Sequence, residues 1–105
     1  FAGTSSTISF PYLNTTFNGD ISNWDVSNVT DMSYMFFYNG SFNQNIGGWD
    51  VSAVKYFTYM FGGASSFNQD LTSWCVSGII YEPSEFAYAS PLATSNLPAW
   101  GRSCP

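Results

Sequence analysis

The sequence predicts an α/β repeat solenoid, and three observations carry that prediction. The chain repeats itself: FNGDISNWDVSNVTDMSYMF, from Phe17 to Phe36, returns as FNQNIGGWDVSAVKYFTYMF, from Phe42 to Phe61. A shift of 25 residues also keeps large apolar residues in register through a third copy. One copy, moreover, is too small to hold a core by itself. Ordering a copy costs roughly 1.5 kcal/mol per residue, and ~7 buried apolar side chains return only roughly 10–20 kcal/mol. Copies therefore have to cover one another's faces, as turns of a solenoid do.

The register defines the units. Phe17, Phe42 and Phe67 coincide, as do Ile21, Ile46 and Leu71. Trp24, Trp49 and Trp74 form a third column, and Val29, Val54 and Ile79 a fourth. Phe36, Phe61 and Phe86 close the unit. These residues are expected to point inward as a core ladder. The whole of 1–105 then reads as one domain: a degenerate half repeat over 7–16, repeats over 17–41, 42–66 and 67–91, and a C-terminal cap over 92–105.

Each element has a local reason. In the half repeat, TISFPYLN places Phe10 on Met35 and Asn14 on Asn39. Ile21 to Val26 contains short alternating stretches that suit a strand. Thr30-Asp31-Met32-Ser33 offers an N-cap ahead of Met32, Met35 and Phe36, which are spaced i, i+3, i+4, so one short helix or 3₁₀ turn per coil is expected. Asn39-Gly40 and Gly62-Gly63 would end it. Lys55-Tyr56 replaces Thr30-Asp31 and leaves the second helix without that cap. Asn18, Asn43 and Asn68 are expected to form an asparagine ladder that bonds backbone groups of the next coil. In the third copy Glu82 falls where Met32 and Phe57 stood, Glu85 where Met35 and Met60 stood, and Pro83 lies inside the helix pattern. That is the composition of a terminal coil with its outer face in water.

Composition narrows the function. Hydrophobic residues make up 45% of the chain and aromatic ones 20%, which supports a packed core. Two basic residues, Lys55 and Arg102, stand against seven acidic ones, so neither nucleic acid nor an anionic membrane surface is an expected partner. No apolar run approaches the ~20 residues of a membrane helix. There is no His, which removes Ser/His/Asp triads and most zinc sites. Phe1 stands where an initiator Met would, so processing or trimming is expected there. Cys75 and Cys104 belong to no C-x-x-C pair and suggest a disulfide formed in an oxidising compartment; two buried free thiols are the competing reading. A Cys75–Cys104 bond would strap the tail SPLATSNLPAWGRSCP across the open end.

The units WDVSNVTDMSYMF and MFGGASSFNQDL, and the ending WCVSGIIYEPSEFAYASPL…LPAWGRSCP, resemble the 25-residue repeats of BspA-like surface proteins, known from mycoplasma-type surface lipoproteins. The resemblance covers nearly the whole chain from Thr7 onward. It implies a leucine-rich-repeat-like solenoid with Phe and Ile in the usual Leu places. It further implies secretion or surface display and a role in adhesion or protein interaction. It supplies no catalytic residues.

The sequence offers four kinds of candidate site. Asp25 and Asp50 share one coil position, and Asp20, Asn45 and Asp70 another; stacked carboxylates suit calcium or acid/base chemistry, whereas turn capping is the simpler use and the expected one. No cofactor and no metal is therefore expected. Tyr34, Phe37, Tyr38, Tyr56, Tyr59, Tyr81, Tyr88 and Trp100 are less regular than the core columns, and any that are exposed would suit protein or glycan contact. Small hydroxyl residues do not recur in the ladder that ice binding would want. Sequons at Asn14, Asn28 and Asn39 offer glycosylation in a eukaryotic source. The expected function is a non-catalytic extracellular interaction or structural module, acting in adhesion or self-assembly into an oligomer or filament. The alternative is a carbohydrate-binding module using exposed aromatics.

Overall fold

Backbone hydrogen bonds, followed residue by residue, define how the chain is folded. The computed structural model describes residues 15–104. The N–H groups of Met32, Tyr34, Phe36 and Tyr38 donate to the carbonyls of Tyr56, Thr58, Met60 and Gly62 at 2.7–3.0 Å. Those of Met35, Phe37 and Asn39 turn back to Met32, Tyr34 and Phe36. Ser33 donates to the Asp31 carboxylate. Every N–H from Met32 to Asn39 is thus used, alternately between windows and within a turn. The next window repeats the scheme. Tyr59, Phe61 and Gly63 donate to Ser84, Phe86 and Tyr88, while Met60, Gly62 and Ala64 turn back by three residues.

These rows overturn the expected α/β leucine-rich-repeat solenoid. The i, i+3, i+4 spacing of Met32, Met35 and Phe36 does not form a helix, because Tyr34 and Tyr38 hold φ of 63° and 54°. A left-handed residue at every fourth position breaks a right-handed helix into consecutive turns. The expected strand over Ile21 to Val26 is two tight turns, Trp24 N–H to Ile21 and Val29 N–H to Val26, recurring at Trp49, Val54, Trp74 and Ile79. Among the described residues the one helical element is a 3₁₀ turn at Thr94–Asn96, and pairing is limited to an isolated parallel bridge between Asp31 and Tyr56. The molecule is compact, with a radius of gyration of 12.7 Å, and is built almost wholly from turns.

The 25-residue shift nevertheless marks real contacts. Phe17, Phe42 and Phe67 stack at 6.1 and 5.8 Å, and Phe36 lies on Phe61 at 5.3 Å. Trp49 donates its indole N–H to the Ile21 carbonyl and Trp74 donates to that of Ile46, both in buried surroundings. Trp24 departs from the expected core ladder: it is 44% exposed.

The third window carries one inserted residue. Turns that end at Met35 and Met60 have their counterpart at Phe86, which bonds back to Pro83. Phe86 therefore takes the buried place of Met35 and Met60, not that of Phe36 and Phe61. Ile79 still matches Val54 and Pro83 matches Phe57, so the extra residue lies among Ile80, Tyr81 and Glu82, all exposed. Glu85, with φ of 55°, falls on the outward left-handed position of Tyr34 and Tyr59. The charges of this window replace no core rung, which corrects the sequence alignment.

The tail closes half of the end. Ala93 donates to Asn68 Oδ1, Leu71 donates to the Asn96 carbonyl, and Gly101 donates to that of Val76. Gly101 has φ of 71°, and a Cβ there would lie 3.0 Å from the Ile80 carbonyl oxygen, so glycine is required for the tail to lie this close. Trp100 packs edge-on against Phe57 and Phe86. Cys75 and Cys104 are joined in a disulfide.

Candidate functional site: an exposed tyrosine face

The turn rows place three columns on one side of the molecule: Tyr34, Tyr59 and Glu85; Phe37, Gly62 and Tyr88; Tyr38, Gly63 and Ala89. Tyr34 and Tyr59 stack at 5.4 Å with 13° between their planes. Phe37 presents its edge to both, at 5.2 and 5.6 Å. Tyr38 meets Phe37 at 4.5 Å. The glycines make room for these rings. A Cβ on Gly63 would lie 2.4 Å from the Tyr38 ring, and one on Gly62 would lie 2.8 Å from that of Tyr59. Tyr38 and Tyr88 are each 57% exposed. Burial against its neighbours pushes the Tyr59 hydroxyl pKa up, with smaller contributions from Glu85, Tyr34, Tyr88 and Tyr38.

Tyr34, Tyr38 and Tyr59 all hold left-handed φ, which costs a side-chain-bearing residue about 1–2 kcal/mol and glycine almost nothing. Gly63 shows the inexpensive solution at the same turn position as Tyr38. Glu85 and Ala89 hold the same left-handed φ in the third window without a ring, so the turn itself does not require tyrosine.

The other sequence candidates fall elsewhere. Asn18 Oδ1 accepts from the Asn43 N–H, Asn43 Oδ1 from Asn68 and Asn68 Oδ1 from Ala93, at 2.9–3.0 Å; all three asparagines sit on an exposed edge. Asp20, Asp25, Asp50 and Asp70 each accept both the N–H and the hydroxyl of the Ser or Thr two residues on. Those side-chain and backbone hydrogen bonds hold all four carboxyls below their ordinary range. Among the described residues no group of three or more His, Cys, Asp or Glu is placed to hold a metal. An open groove of about 620 Å³ beside Val54, Lys55, Cys75 and Ile79 has Lys55 as its ionisable side chain and no carboxylate facing it.

Asn28 is exposed, while Asn14 lies outside the described residues. Asn39 is fully buried and cannot carry a glycan as folded. Its amide N–H donates to the Phe17 carbonyl, and its Oδ1 accepts from Ser41 and Phe42. Sequence reasoning named the exposed tyrosines without seeing that three of them share one backbone anomaly. The signal was their spacing, Tyr34, Tyr38 and Tyr59, opposite Gly63 in the parallel position.

Among the described residues no helix is long and apolar enough to cross a membrane. A family profile described as Mycoplasma protein of unknown function, DUF285, matches residues 8–100. No curated protein and no solved structure matches.

Proposed function

The chain belongs to the family described as Mycoplasma protein of unknown function, DUF285, and from that premise we propose that it is a non-catalytic recognition module that binds other proteins through its tyrosine face. One observation carries the reading: Tyr34, Tyr38 and Tyr59 occupy left-handed positions at a cost to folding, side by side and at least partly exposed. Strain kept where a simpler residue would serve is a mark of function. Tyrosine offers large, rigid contact area with a polar tip and little rotamer entropy to lose, which suits protein interfaces. The disulfide supports an oxidising, extracellular setting. The BspA-like resemblance, finer than the family match, supports surface display and adhesion.

A carbohydrate ligand is the second reading, and the exposed ring of Tyr38 favours it. The Tyr34–Tyr59 pair weighs the other way, because these rings spend faces on each other. The test compares the chain with a Tyr34→Gly/Tyr38→Gly/Tyr59→Gly variant on arrays of extracellular proteins and of glycans. The variant is expected to melt no lower than the parent and to lose protein binding by at least tenfold. Undiminished protein binding by the variant defeats the proposal; binding of the parent to glycans alone selects the second reading.

A further inference from the structure

The rows of N–H donors run in one direction through the molecule, and the last row is open. The first row, Met32, Tyr34, Phe36 and Tyr38, is taken up by the second window, and the second row, Tyr59, Phe61 and Gly63, by the third. With the inserted residue counted, the third row is Pro83, Glu85, Ala87 and Ala89. Pro83 has no N–H to offer. The N–H groups of Glu85, Ala87 and Ala89 have no hydrogen-bond partner among the described residues. The tail, through Asn96 and Gly101, covers the tryptophan half of this end and leaves the row uncovered. Beside the row lies a cleft of about 370 Å³ lined by Phe86, Tyr88, Leu92 and Leu97, with Glu82 and Glu85 at its edge.

The acceptors that match such a row are visible within the chain. Thr58, Met60 and Gly62 present alternate carbonyls to the first window, and Ser84, Phe86 and Tyr88 present them to the second. Residues 7–14, TISFPYLN, which lie outside the described residues, carry the same pattern in sequence, with Ile8, Phe10 and Tyr12 at the carbonyl positions. We propose that the open row of the third window is a docking edge for a second copy of this chain, which enters with residues 7–14. The pairing is head to tail, so it does not close on itself and builds open assemblies. Unpaired alternate donors are what strand-addition partners use. The chain carries a net charge of −5, so copies repel one another at low salt and associate more tightly as salt screens them. This edge adjoins the tyrosine face at Glu85, Tyr88 and Ala89 but includes none of Tyr34, Tyr38 and Tyr59.

The experiment follows amide hydrogen exchange by NMR, together with sedimentation of the full chain, across protein concentration and salt. Association is expected to grow with both, and the amides of Glu85, Ala87 and Ala89 to become protected in step with it. Pro83→Ala supplies a fourth donor and is expected to tighten association about threefold to tenfold. The triple tyrosine-to-glycine variant is expected to associate as the parent does, which separates this edge from the protein-binding face. The proposal is overturned by a chain that stays monomeric at millimolar concentration and high salt. Assembly that leaves those three amides unprotected, or a Pro83→Ala chain that associates no better, overturns it equally.

Discussion

At the scale of single residues, two tryptophans that both pack on Phe57 have opposite polar fates. Trp74 buries its indole N–H on the Ile46 carbonyl at 3.0 Å, whereas Trp100 Nε1 is buried with no partner. Removing a satisfied buried donor orphans its acceptor, while removing an orphan relieves a desolvation cost. Trp74→Phe is therefore expected to cost about 2–3 kcal/mol, and Trp100→Phe to be within about 1 kcal/mol of neutral, in urea unfolding followed by fluorescence. Asn39 shows what a short motif conceals. Asn39-Gly40-Ser41 reads as a glycan acceptor, yet the same amide satisfies three backbone groups beneath the surface. Burial depends on a contact with Phe17, 22 residues away, which no local pattern reports. The tryptophan column, by contrast, was legible for Trp49 and Trp74, because only a large apolar residue held at fixed spacing fills that place.

At the scale of the element, the turn replaces both helix and strand, and its chemistry is that of carboxylates. Asp20, Asp25, Asp50 and Asp70 each bridge two groups of the residue two ahead, and their hydrogen bonds lower their pKa from the ordinary 3.8. A carboxyl with a lower pKa when folded stabilises the fold fully above its unfolded value. That stabilisation is lost as pH falls through the folded value. Melting temperature is expected to be flat from pH 7 to 5 and to drop below about pH 4. Changing all four to Asn, which keeps an acceptor but does not titrate, is expected to flatten that drop. The local use of these Asp residues was readable, since Asp two residues before Ser or Thr is a frequent turn former. The helix was misread because Met32, Met35 and Phe36 bury the same face in a helix and in a run of turns. What distinguishes the two is the φ of Tyr34, and tyrosine gives no warning of a left-handed backbone.

At the scale of the whole molecule, cohesion comes from an aromatic core and one covalent tie. Phe36, Phe42, Phe61 and Phe67 stack in a continuous series, with centroids 4.0–5.8 Å apart. The disulfide spans 29 positions and ties the tail to the last window. Closing a loop of that size is worth about 3–4 kcal/mol in the chain-entropy account. Cys75→Ser/Cys104→Ser is accordingly expected to lower the melting temperature by roughly 10–20 °C in calorimetry. The covalent pairing was open to inference from two isolated cysteines. The slip between Ile79 and Pro83 was not, because Phe86 matches Phe36 by identity while the turns place it with Met35, and only the hydrogen bonds decide between them.

The left-handed tyrosines also say something about descent. At Tyr34, Tyr38 and Tyr59 random change toward glycine is downhill for the fold, so drift is biased against the ring. In a lineage that has abandoned the surface, those sites should erode to glycine within a few substitutions while the buried phenylalanines stay put. Aromatic residues persisting there in relatives would be the footprint of ongoing selection for contact.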